Sequence, residues 1–313
     1  MTQGFSADRR RSLHALPAIG LAALSPSIAS ARQGSSPAAP SMRPIPSTGE
    51  SVPVIGLGTW ITFNVGNDPL AREQCAEVMR VFLDAGGRLI DSSPMYGSSQ
   101  DVVGEGLAKF GATARVFSAD KVWISPGSRG PGQIEVSRRR WGIPRFDLLQ
   151  VHNLLSWEDH LRNLFAMKAA GRLRYVGITT SEGRRHREIE AIMRAHPIDF
   201  VQVSYNIVDR EAEDRILPLA RERGVAVVAN RPFREGALIR AVARHRLPAW
   251  AAEIDCANWA QFLLKFIVSH PAITCAIPAT SQVAHMRENI GAAFGRLPDE
   301  ATRGRMAAHV GRL

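Results

Sequence analysis

Leu89-Ile90-Asp91-Ser92-Ser93-Pro94-Met95-Tyr96-Gly97 reads as a short buried strand that ends in a carboxylate and opens into a loop carrying a phenol. Leu89 and Ile90 supply the apolar run, and Asp91, a residue that favours turns and caps, stops it. On its own the aspartate is as readily a turn residue as a functional one. Its meaning comes from the rest of the chain, because the same unit recurs. Apolar runs at 54–57, 89–91, 115–119, 148–151, 175–179, 200–203, 225–229 and 274–277 alternate with amphipathic stretches at 70–85, 101–110, 133–141, 157–170, 185–196, 211–223, 258–269 and 282–292. Strict alternation implies parallel strands joined by crossover helices. Eight such pairs in roughly 250 residues is the size at which the sheet closes, so the expected fold is α/β, a (β/α)8 TIM barrel. An open doubly wound sheet would carry a G-x-G-x-x-G turn after its first strand, and none is present.

Composition narrows the function. The net charge of +10 is spread over the chain and made mostly of arginine, the only lysines being Lys109, Lys121, Lys168 and Lys265. Without a focused basic patch interleaved with aromatics, a nucleic-acid partner is not expected. Cys75, Cys256 and Cys275 have no metal-ligand spacing, and an odd count argues against a disulfide framework, so no metal site is expected. The first 31 residues differ from the rest. Arg9-Arg10-Arg11-Ser12-Leu13, an apolar run at 15–24 and Ala29-Ser30-Ala31 have the order of a secretory signal. The paired arginines resemble a twin-arginine type, which implies the twin-arginine export machinery as a partner of the precursor and a periplasmic destination. A disordered basic leader is the alternative. Residues 32–48, rich in Ser, Pro and Ala, are expected to be an unstructured mature tail, and 49–313 the barrel domain.

In a barrel of this kind the active site lies at the C-terminal ends of the strands. Read in order, those ends deliver Trp60, Asp91 with Tyr96, Lys121, and His152 with Asn153. A phenol has an ordinary pKa near 10. A neighbouring ammonium lowers it, and a carboxylate holds that ammonium charged and in place. Tyr96 then acts as general acid toward a carbonyl oxygen, Lys121 tunes it, Asp91 anchors Lys121, and His152 donates to the same oxygen. This set contains no nucleophile and no metal, so the reducing equivalent has to come from a cofactor.

At this point the chain resembles the aldo-keto reductase family. The resemblance rests on Gly56-Leu57-Gly58-Thr59-Trp60, Leu89-Ile90-Asp91-Ser92-Ser93 with Tyr96-Gly97, Asp120-Lys121-Val122-Trp123 and Asp147-Leu148-Leu149-Gln150-Val151-His152-Asn153. It continues through Tyr175-Val176-Gly177-Ile178, Val201-Gln202-Val203-Ser204-Tyr205-Asn206, Ile277-Pro278 and Glu288-Asn289. It implies NADPH-dependent carbonyl reduction, with the family's catalytic tetrad at Asp91, Tyr96, Lys121 and His152 and Tyr96 as proton donor. The cofactor positions it implies include Gly58, Thr59 and Asp91 at the first strand ends, Gln202 on the nicotinamide carboxamide and Tyr205 stacked on the nicotinamide ring. Thr179 and Thr180 stand where members commonly carry a Ser-Asn pair. Pro232, Phe233, Gly236 and Leu238 fall in the phosphate-covering loop, with mostly backbone contacts. Glu288 and Asn289 match the residues that hold the adenine in the family. Ala279, Thr280 and His285 surround the 2′-phosphate, where many members have Lys or Arg. The resemblance implies NADP(H) as the preferred cofactor, with NAD(H) the alternative. Trp60, Tyr96, Trp123 and His152 are expected to line the pocket of a small-molecule carbonyl substrate. A rival reading is an exported cofactor-binding redox sensor of the same fold, without significant turnover.

Overall fold

The apolar runs pair in register as eight parallel strands in a computed structural model that describes residues 39–313. The segment read from the sequence as a leader and the first part of the tail lie outside the described residues. The strands are β3 (Leu57–Gly58), β4 (Leu89–Asp91), β5 (Phe117–Val122), β6 (Phe146–His152), β7 (Leu173–Thr179), β8 (Phe200–Ser204), β9 (Ala226–Asn230) and β10 (Cys275–Ala276), each paired with the next. Parallel bridges at Ile55↔Ala276 and Gly58↔Ala279 join the last strand to the first and close the barrel. Glycine is required at that seam. A Cβ on Gly58 would stand 2.7 Å from the Ile277 carbonyl oxygen, and one on Gly56 2.9 Å from that of Leu89.

The helices follow their strands: α1 (Pro69–Asp84), α2 (Ser99–Lys109), α3 (Gly130–Trp141), α4 (Trp157–Ala169), α5 (His186–Ala195), α6 (Ile216–Arg223), α7 (Ala237–Val242), α8 (Trp259–Val268), α9 (Val283–Gly291) and the terminal α10 (Glu300–Val310). Capping side chains set several starts. Asp68 accepts from Leu70 and Ala71 N–H ahead of Pro69, and Asn258 and Asp299 cap α8 and α10 in the same way. Among the described residues no helix is long and apolar enough to cross a membrane.

Because successive strand residues point to opposite faces, each strand divides its side chains between two cores. Ile90, Val122, Leu149, Val151, Val176, Ile178, Val201, Val203 and Val227 face the helices. Leu89, Phe117, Ala119, Leu148, Tyr175, Phe200, Ala226, Val228 and Cys275 fill the barrel interior. The inward series turns polar toward the strands' C-terminal ends. Leu89 is followed by Asp91, Ala119 by Lys121, Leu148 by Gln150 and His152, Phe200 by Gln202, and Val228 by Asn230. The apolar part sits at the barrel's floor and the polar part at its mouth.

Part of the segment read from the sequence as unstructured tail forms that floor. β1 (Met42–Pro44) pairs antiparallel with β2 (Ser51–Pro53), and Ile45 and Val52, both fully buried, join the interior cluster. Tyr175 Oη donates to Glu50 Oε2 at 2.7 Å and bonds Thr48 Oγ1 at 2.8 Å, and Arg174 pairs with Glu50, tying the hairpin to β7. Truncating Ile45→Ala should lower unfolding free energy by about 2–4 kcal/mol, the cost of a buried aliphatic side chain. Urea denaturation followed by circular dichroism measures this, and a loss below about 0.5 kcal/mol would show that the hairpin is no part of the folded core.

Candidate active site

The centre of the barrel mouth is a buried ion pair. Lys121 Nζ lies 2.5 Å from Asp91 Oδ1, with both side chains almost fully removed from solvent. The ammonium also donates to the Ser92 carbonyl at 2.8 Å. Asp91 Oδ2 accepts from Gln202 Nε2 at 3.0 Å and Gln150 Nε2 at 3.2 Å, and its carbonyl accepts from Thr59 Oγ1 at 2.9 Å. Removing two charges from water is offset only by close geometry and by hydrogen bonds to their remaining polar atoms, and this site supplies three donors to the carboxylate and two acceptors to the ammonium. Asp120 belongs to the opposite face of β5. Its carboxylate accepts from Trp141 Nε1 at 2.6 Å and Gln100 Nε2 at 2.8 Å, and burial pushes its pKa up to about 7.

Tyr96 stands over the pair, with Lys121 Nζ 4.9 Å from its ring centroid. The His152 ring meets it edge-on at 5.7 Å. His152 Nδ1 is 2.9 Å from Ser93 Oγ, which already accepts the Met95 N–H at 3.2 Å. The Ser93 O–H is free to donate to Nδ1, and in that arrangement the ring proton sits on Nε2. Burial, reinforced by the Lys121 charge, pulls His152 down to about 2, so the imidazole is neutral at ordinary pH. Burial also acts to discharge Lys121, but the Asp91 carboxylate beside it opposes this and the ammonium is held above its ordinary range.

Tyr96 departs from the sequence expectation. Burial raises its pKa, and the opposing pull of Lys121 does not overcome that. Lys121 therefore limits the rise instead of producing a depressed value. The phenol stays protonated.

A cleft of about 480 Å³ opens above these groups. Its wall includes Gly58, Thr59, Trp60, Asp91, Tyr96, His152, Thr179, Thr180, Gln202, Pro232, Phe233, Gly236, Ala279, Thr280 and His285, all anticipated from the sequence. A dinucleotide's polar groups find matching chemistry along it. Amides and hydroxyls of Gln202, Asn230 and Thr179 stand beside the Tyr96 end. At the far end the N-terminus of α9 has no side-chain cap, and Thr280, Ser281 and His285 surround it. Uncapped N–H groups and the helix dipole favour a phosphate there. Among the described residues no cluster of side chains suits a metal ion.

Comparison with known proteins agrees with this geometry. The model of the aldo/keto reductase family matches residues 54–304. The chain belongs to the aldo/keto reductase family. It is 27% identical to the methylglyoxal reductase YeaE of Escherichia coli K12 over 76% of this chain and 84% of that enzyme. It is 26% identical to the NADH-specific methylglyoxal reductase of the same organism, over 66% and 72% of the two chains. An aldo/keto reductase from Klebsiella pneumoniae, solved in complex with NADP and acetate, superposes with a TM-score of 0.69 at 24% identity, covering 84% of this chain and 92% of that one.

Several positions implied by the family resemblance lie elsewhere in this reductase. Tyr205, expected to stack on the nicotinamide, is fully buried away from the cleft. It continues the parity of Val201 and Val203, so it faces the helices, where it stacks on Phe266 and donates to Glu213 Oε1 at 2.5 Å. Leu238 turns into the core, Asn289 is buried in α9 and Glu288 points to solvent, and none of the three lines the cleft. Trp123 flanks His152 with rings 6.4 Å apart but is not part of the cleft wall. Thr180 lines it, yet its hydroxyl donates to the Arg184 carbonyl of its own loop at 3.0 Å. The cleft also holds groups given no individual role from the sequence, notably Asn230, Arg231, Glu182 and Ile61. Strand parity alone marks Asn230, since it follows Ala226 and Val228 on the inward face; the loop residues carry no such signal.

His152 makes this site sensitive to acid. Its folded pKa lies below the ordinary 6.5, so between about pH 6.5 and about 2 the unfolded chain takes up a proton that the folded chain refuses. Stability contributed by the neutral ring should therefore fall as pH drops through that window. Melting temperatures across pH should show a steeper acid-side loss for wild type than for His152→Gln. Parallel curves would refute a neutral, buried His152.

Proposed function

We propose that this reductase converts aldehydes or ketones to alcohols, using NADP(H) ahead of NAD(H), with Tyr96 as the proton donor. The observation that carries this reading is the Asp91–Lys121 pair beneath a phenol kept protonated and beside a neutral imidazole. A bound nicotinamide dinucleotide would supply the hydride. The chain's own residues do the rest. His152, protonated on Nε2, donates a hydrogen bond to the carbonyl oxygen and orients it. Tyr96 transfers its proton to that oxygen as negative charge develops, and the Lys121 ammonium stabilises the phenolate left behind. Asp91 keeps the ammonium charged throughout, and Gln150 and Gln202 keep Asp91 from turning away.

Thr280, Ser281, His285 and the start of α9 would hold a 2′-phosphate without an arginine or lysine fork, so selection of NADP(H) rests on a helix terminus and neutral donors. Carbonyl reduction is also what the names of the two Escherichia coli relatives describe, and the Klebsiella relative was solved with NADP.

Steady-state oxidation of NADPH with a panel of aldehydes tests the reading. Tyr96→Phe should lower kcat by about 10²- to 10⁴-fold, the usual contribution of a positioned acid, while nucleotide binding, followed by fluorescence quenching, persists. Wild type should bind NADPH about tenfold more tightly than NADH, a difference of about 1.4 kcal/mol. Unchanged turnover in Tyr96→Phe would defeat the proton-donor assignment, and tighter binding of NADH would defeat the cofactor preference.

A further inference from the structure

Asp120 stands back to back with Lys121 on β5 and takes no part in the proton transfer described above. Its side chain is fully buried on the helix-facing side of the strand. Three N–H groups converge on the carboxylate. Lys121 N–H donates to Oδ1 at 2.7 Å, and Trp141 Nε1 and Gln100 Nε2 donate to Oδ2 at 2.6 and 2.8 Å. Among the described residues no cation is bonded to it, which is unusual for a carboxylate removed from water. The same face of β5 carries Val122, and an apolar residue at 120 would need no such set of donors.

The charges around Asp120 come from several elements. Lys121 lies on β5 itself and Asp91 on β4, with Tyr96 in the loop above them. Arg140 of α3 reaches only Gln100 Oε1, at 3.4 Å, and is drawn outward by Asp101 of α2 at 3.6 Å. Glu105, Lys109, Glu135 and Arg139 of the same helices are exposed, and Arg138 is held by Glu135 and the Ile143 carbonyl. Burial thus acts on Asp120 against one nearby ammonium that is already paired with Asp91, and the carboxyl comes up to about 7. The neutral form has a partner available. By turning its amide over, Gln100 offers Oε1 to the new O–H and gives up Arg140.

The consequence falls on Tyr96. With both carboxylates ionised, the buried set of Asp91, Asp120 and Lys121 carries a net negative charge, and a phenolate forming over Lys121 adds to it. With Asp120 protonated the set is neutral, and the same phenolate meets no excess negative charge. We propose, building on Tyr96 as the proton donor, that Asp120 is a positioning residue for reduction: acting through Lys121, its ionisation sets how readily Tyr96 releases a proton, and reduction is faster while Asp120 is protonated. The proton on Asp120 comes from solvent and is not the one transferred. Tyr96 still gives its own to the carbonyl oxygen.

The single-turnover rate of NADPH oxidation with benzaldehyde, at saturating NADPH and from about pH 5.5 to about 9, reads this directly. Wild type should lose about three- to tenfold in rate through one step centred at about pH 7, the scale of one added buried charge. His152 lies well below this range and Tyr96 and Lys121 above it, so none of the three supplies the step. Asp120→Asn should abolish the step and outpace wild type at about pH 8.5 by about three- to tenfold. Removing a residue that only held the fold would not accelerate the reaction. Trp141→Phe takes away one donor to the anion and leaves the carboxyl in place, so the step should move up by about one pH unit. That variant carries the test if Asp120→Asn does not fold. A flat wild-type profile, a step that survives in folded Asp120→Asn, an Asp120→Asn slower than wild type at every pH, or a midpoint unmoved in Trp141→Phe overturns this proposal while carbonyl reduction stands. Absence of NADPH- or NADH-linked reduction by wild type at every pH overturns the parent reading and this one together.

Discussion

The contact between Lys121 Nζ and Asp91 Oδ1 is the constraint around which the barrel mouth is arranged. Two opposite charges sit where water does not reach, and stranding either one costs about 3–5 kcal/mol in a buried site. Each therefore needs its remaining hydrogen-bonding capacity filled, and four strands contribute to that. β4 supplies Asp91 and β5 supplies Lys121, while β6 and β8 send Gln150 and Gln202 to the same carboxylate oxygen. An arrangement with so many fixed donors has little room to relax. That rigidity is what lets a single ammonium act on Tyr96 at a set position, and what allows a neutral His152 to stand so close to a positive charge.

The two sides of the cleft are built for different tasks. Loops after β7, β9 and β10 bring amides, hydroxyls, charged pairs and an open helix terminus, the equipment for a long polar ligand. Loops after β3, β4 and β5 bring exposed aromatic and aliphatic side chains around Tyr96. Tyr96 and His152 stand where the two meet.

Much of this was legible from spacing. A side-chain period of two along strands of known polarity sends Asp91, Lys121, His152 and Gln202 into one mouth, and no coordinates are needed to see it. The same rule, applied one residue further, would have placed Tyr205 on the helix-facing side with Val201 and Val203; motif alignment overrode parity there, and parity was right. The hairpin from Met42 to Pro53 was illegible for another reason. Its strands are three residues long and proline-bearing, and it earns its place by plugging a barrel floor with Ile45 and Val52, a long-range role that no local pattern announces. The direction of the Tyr96 shift depended on weighing burial against one neighbouring charge, and burial cannot be read from residue types.

The central claim is that Lys121 acts on the reaction through Tyr96. A double-mutant cycle of Lys121→Met and Tyr96→Phe, read on the single-turnover rate of NADPH oxidation with one aldehyde, tests it most directly. If the claim holds, the double variant should be no slower than Tyr96→Phe alone, since the ammonium has nothing left to act on. Losses that multiply across the two substitutions would show that Lys121 and Tyr96 act independently, and would contradict the account.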